Sequence, residues 1–96
     1  MTIHEIKSAN RSAILEVAKN YGAYNVRIFG SVARGESTKN SDLDLLVDLE
    51  NGRTLFDLGG LHADLEEMLH CTVDIVTENG LDPLIREQVL HEAVPL

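Results

Sequence analysis

One cysteine, Cys71, is all the sequence holds, so no internal disulfide can brace the fold and a reducing, cytoplasmic setting is expected. Basic residues are scarce too: eight Lys and Arg stand against sixteen Asp and Glu, giving a net charge of −8. A protein that grips nucleic acid directly needs clustered cations to neutralise phosphates, and these are scattered. No apolar run is long enough to span a bilayer, so no membrane partner is expected. The opening residues Met1 to Lys7 lack a basic stretch followed by an apolar one, so a secretion signal is not expected. With 4% aromatics, no pair of rings stands out to sandwich a base. Repeats, low-complexity tracts and linkers rich in Pro, Gly or Ser are absent as well. The ninety-six residues read as one small domain, 1–96, with a single modest core.

What remains alternates helix and strand. Ile6, Ala13, Ile14, Val17, Ala18 and Tyr21 recur at helical spacing, and Gly22 follows as a stop. Asn25 to Phe29 is short and β-prone and ends at Gly30. Ser31 to Arg34 suits one helical turn, broken by Gly35, and the polar stretch Glu36 to Ser41 reads as a loop. Leu43 to Leu49 reads as a second strand, followed by an Asn51-Gly52 turn. Leu55, Leu58, Leu61, Leu65, Met68 and Leu69 outline another helix. Gly59-Gly60 weakens that helix by roughly 1 kcal/mol per glycine relative to Ala. Thr72 to Thr77 is a third strand. Asp82-Pro83 supplies an N-cap and first-turn proline for a helix over Leu84 to His91, and Val94 to Leu96 suits a short edge strand. The expected class is α/β (α+β), a small mixed sheet with helices packed on one face.

The chemistry concentrates in Gly30-Ser31, a ten-residue spacer, then Asp42-Leu43-Asp44. Residues two apart on a strand share a face, so Asp42 and Asp44 project together, about 7 Å apart along the strand. At an effective dielectric near 20 they repel by roughly 2 kcal/mol. Stability gives no reason to accept that cost, whereas a divalent cation removes it, and hard carboxylate oxygens suit Mg²⁺. Asp74 stands between Val73 and Ile75 on the third strand, where an apolar residue is expected. If the second and third strands are neighbours, the three acids share one cleft. They could then hold two metal ions about 4 Å apart, as in-line phosphoryl or nucleotidyl transfer requires. Gly30 allows close approach to a phosphate, and the turn beginning there aims N–H groups at anions. Ser31 adds a hydroxyl. Gly30 to Gly35 has the glycine spacing of a P-loop, but Glu36-Ser37 stands where Lys-Ser/Thr must follow, which rejects a Walker A site.

At these residues the chain resembles the minimal nucleotidyltransferase family of the DNA polymerase β superfamily, whose motif is Gly-Ser, ten residues, Asp-x-Asp. The family's third acid, inside a later strand, matches Asp74, and the resemblance covers roughly Val26 to Leu96. It implies the polymerase β-like fold. It implies that Asp42, Asp44 and Asp74 are catalytic and hold Mg²⁺, with Asp74 helping to activate the acceptor hydroxyl. Gly30 and Ser31 would bind the β- and γ-phosphates of ATP. Short stand-alone members are similar to the antitoxin half of HEPN–MNT pairs, in which a tyrosine on the HEPN ribonuclease toxin receives AMP. An acidic chain complements such a basic partner.

Each residue also has a plainer reading. Asp42 and Asp44 could be solvated edge-strand acids, Asp74 a structural partner of Arg27, and Asp48 a solvated strand end. Arg34 could touch the triphosphate or pair with Glu36. Tyr21 and Tyr24 read as packing residues, and apolar side chains left exposed between Leu55 and Leu61 or near the C-terminus would be partner surface. Two rival functions stand beside the transferase for a partner protein: an antitoxin that masks its partner without catalysis, and a transferase for a small molecule or RNA end. The last needs an acceptor pocket that a homo-oligomer could complete.

Overall fold

The run Leu43 to Leu49 is the axis of the molecule. Leu43, Leu45, Leu46 and Val47 are all fully buried, so both faces of this strand are covered, as its nearly continuous apolar sequence demands. A computed structural model describes residues 2–38 and 40–96; Lys39, within the stretch expected as a loop, lies outside them. Strands β1 (Ala23–Phe29), β2 (Leu43–Leu49), β3 (Val73–Val76) and β4 (Val94–Pro95) form one sheet in the order β3-β2-β1-β4. β1 is antiparallel to β2 and β4, and β2 is parallel to β3, so the sheet is mixed.

The helices are α1 (Ile3–Glu5), α2 (Arg11–Asn20), α3 (Gly30–Arg34), α4 (Leu55–Leu69) and α5 (Pro83–Glu92). A π-helical turn, Ile6–Asn10, joins α1 to α2, so the first helical stretch is interrupted where the sequence pattern reads as continuous. Ile14 and Ala18 of α2 and Leu61 and Leu65 of α4 pack with Ile28, Leu43, Leu45 and Val47 to form the main core on one sheet face. α5 adds what the expected one-sided packing did not include. Its Val89, with Leu81, covers Leu46, Phe29 and Val76 on the opposite face.

α4 runs through both glycines. Its start is secured by a capping box, Thr54 accepting from Phe56 N–H and Asp57 accepting from Thr54 N–H at 2.9 Å. Gly60 has a packing reason: a Cβ there would lie 2.4 Å from the Tyr21 ring. Tyr21 also donates to Asp64 at 2.5 Å, tying α2 to α4. Leu55, Phe56, Leu84 and Ile85 remain exposed at the starts of α4 and α5. Among the described residues, no helix is long and apolar enough to cross a membrane.

Candidate active site

Strand pairing decides which acids meet. Asp44 lies opposite Asp74 in the parallel β2–β3 register and opposite Phe29 in the antiparallel β1–β2 register. Register partners share a sheet face, and adjacent strands are about 4.8 Å apart, so Asp44 and Asp74 project side by side. Asp42 sits one residue before β2 rather than within it, and is exposed. β1 delivers the chain past Asp44 and turns directly into α3 at Gly30.

That turn requires glycine twice over. Gly30 has φ +73°, and a Cβ there would lie 2.0 Å from Asp44 Oδ2. The backbone of the turn is thus packed against the carboxylate. Gly35 ends α3 in the left-handed conformation at φ +74°, with open space around it.

Among the described residues, the Asp42, Asp44 and Asp74 carboxylates accept no hydrogen bond and form no ion pair. Burial raises the Asp44 carboxyl to about 6, with Asp74 and Asp42 repelling its charge, Arg34 partly opposing the rise and Glu92 adding to it. The Ser31 hydroxyl is half-buried and also lacks a partner within the chain among the described residues. The donor chemistry fits a hard divalent cation: three unpartnered carboxylates at one end of one sheet face. The ligand set is not preassembled, since among the described residues no three His, Cys, Asp or Glu side chains are gathered closely enough to hold a metal ion.

Arg34 is engaged on two sides. Its Nε donates to Glu36 at 3.1 Å and its Nη1 to Glu92 at 3.2 and 3.3 Å. Glu92 also accepts from the Gly30 N–H at 3.0 Å. Sequence reasoning missed Glu92, although one signal was available. It is an acid in the last turn of a helix, where the negative end of the dipole opposes it. Arg27 pairs with Asp48 at 3.0 Å and Glu78 at 3.2 Å, so neither the Arg27–Asp74 bridge nor the solvated Asp48 of the plainer readings is found.

Two hollows flank this face. One, of about 230 Å³, is lined by Asn40, Ser41, Asp42, His70, Cys71 and Thr72 beside the acids. The larger, of about 390 Å³, lies at the far end of β2 by Tyr24, Asp48, Thr77 and Glu78. Asp48 and Glu78 there are held by Arg27, whereas the charge at the Asp44 end has no such compensation.

Residues 11–96 match the nucleotidyltransferase domain family. The chain is 35% identical to the protein adenylyltransferase MntA of Thermococcus cleftensis, over 98% of this chain and 95% of that one. It superposes on the solved structure of a candidate minimal nucleotidyltransferase with TM-score 0.86 at 53% identity, covering 100% of this chain and 97% of the other. A toxin–antitoxin solved with AMP-PNP shares the fold at TM-score 0.76 and 22% identity, covering 90% of this chain and 71% of the other.

Proposed function

This chain belongs to the nucleotidyltransferase domain family, and we propose that it moves AMP from ATP to a hydroxyl on a partner protein, a HEPN-type toxin that it thereby silences. The observation that carries this reading is that Asp42, Asp44 and Asp74, beside the Gly30 turn, have no partner among the described residues. The Thermococcus cleftensis relative is named for protein adenylyl transfer, and a fold neighbour is a toxin–antitoxin with AMP-PNP.

In this reading Asp42, Asp44 and Asp74 hold Mg²⁺ as a two-ion site. Bound there, the metal neutralises the developing charge of an in-line displacement. Gly30 N–H and the Ser31 hydroxyl receive the β- and γ-phosphates, with Arg34 as the nearest cation. An acceptor hydroxyl, on a tyrosine of the toxin, attacks the α-phosphorus. The bond from that phosphorus to the bridging oxygen breaks and pyrophosphate leaves. Asp74, beside Asp44 in the register, accepts the hydroxyl proton.

The test is intact-mass measurement of the toxin after incubation with this protein, Mg²⁺ and ATP. An AMP-sized gain is expected, and Asp42→Asn with Asp44→Asn abolishes it. If that double variant still neutralises the toxin fully, the protein acts by masking.

A further inference from the structure

Glu92 is an awkward residue for its position. It closes α5, where an acid opposes the helix dipole, and its side chain is only 18% exposed. Two donors hold it there. The Gly30 N–H reaches Oε1 at 3.0 Å, and Arg34 Nη1 reaches both oxygens at 3.2 and 3.3 Å. Both donors belong to the groups assigned above to the triphosphate. A carboxylate and a phosphate make the same demand on them, charge-assisted hydrogen bonds to an anionic oxygen.

We propose that Glu92 is an internal competitor for the phosphate-facing donors, so that it sets how tightly the triphosphate binds. This inference rests on the nucleotide reading of the site. One backbone N–H cannot serve Glu92 and a phosphate oxygen well at once, and a carboxylate left beside a triphosphate repels it. Entry of the nucleotide therefore requires the Glu92 side chain to swing away, which also frees one side of Arg34. The backbone beneath Glu92 does not need to move. Ala93 N–H bonds to Val89 O at 2.9 Å, Val94 pairs with Ile28, and Leu96 N–H bonds to Val26 O at 2.9 Å. Rotation about the glutamate side-chain bonds is sufficient. The competitor also keeps the Gly30 N–H satisfied while no nucleotide is present, since Gly30 is buried and an unpaired donor there would be costly.

The experiment is calorimetric titration of the wild type, Glu92→Gln and Glu92→Ala with a non-hydrolysable ATP analogue in Mg²⁺. Glu92→Gln keeps the size and can still accept from Gly30 but loses the charge, so it should fold normally and bind about tenfold tighter. Glu92→Ala should bind at least as tightly as Glu92→Gln even if its nucleotide-free melting temperature falls. Glu92→Gln binding no tighter than the wild type overturns the proposal and makes Glu92 a supporting latch. If the wild type and both variants all fail to bind, the nucleotide reading itself is overturned, and this inference with it.

Discussion

Asp44 and Asp48 stand four residues apart on β2 and face the same side of the sheet, yet they have opposite surroundings. Asp48 is gripped by Arg27 at 3.0 Å and by the Asn25 amide at 3.0 Å, with Glu78 completing the arrangement. Asp44 meets two more carboxylates and a glycine turn, and burial holds its carboxyl near 6. One end of the face has its charges compensated, as a fold under selection for stability would. The other leaves them uncompensated, a cost that the cation proposed above would relieve. Neither acid's identity nor its strand position tells the two apart; the partners do.

Exchanging the acids one at a time tests this contrast most severely. Asp44→Asn should lower AMP transfer by at least about a hundredfold, since a metal ligand contributes several kcal/mol to the transition state. Asp48→Asn should leave transfer within about twofold and reduce stability by about 1 kcal/mol. Time courses by intact mass and urea denaturation separate the two. Equal losses of activity would erase the distinction between the ends.

The glycines sharpen it next. Gly30→Ala and Gly35→Ala share a positive φ that costs an L-residue about 1–2 kcal/mol. Only Gly30→Ala drives a Cβ into Asp44, at 2.0 Å from Oδ2. It should therefore be the more destabilising of the pair in urea and should also lose nucleotide binding.

A pH series without metal probes the same cluster. Because the folded state holds Asp44 well above the ordinary carboxylate value, its contribution to stability is present at low pH and is lost as pH rises through about 6. The melting temperature of the wild type should fall, relative to Asp44→Asn, between about pH 4 and pH 7. A parallel course for the two proteins would contradict the assignment. The smallest effect is expected at the compensated end. Glu78→Gln removes one of Arg27's two carboxylates and should cost about 0.5 kcal/mol with no change in transfer.

The sequence carries the strands and their chemistry well where a pattern is local. Leu43–Leu49 is found over the residues its apolar run indicates, and Asp82-Pro83 starts α5 as an N-cap and first-turn proline should. Gly30 and Asp44 are recognisable from spacing, but their contact is not, because β1–β2 pairing creates it. The π-helical turn at Ile6–Asn10 leaves no mark on the apolar periodicity. Arg27 finds Asp48 rather than Asp74 because β1 runs antiparallel to β2 and sets Arg27 opposite Leu46, toward the compensated end. Glu92 meets Gly30 across 62 residues, and no local signal encodes a contact so distant. The second, smaller core under α5 escapes notice for the same reason: Leu46 and Val89 belong together only once the chain has folded.

Whether the three acids hold metal and nucleotide is decided by the melting temperature at about pH 7 with Mg²⁺ and a non-hydrolysable ATP analogue, taken on the wild type and on the Asp42→Asn, Asp44→Asn double variant. Ligand that binds only the folded state raises the melting temperature. A rise of several degrees is expected for the wild type and none for the double variant. A wild type that does not respond, or a double variant that responds equally, would contradict it.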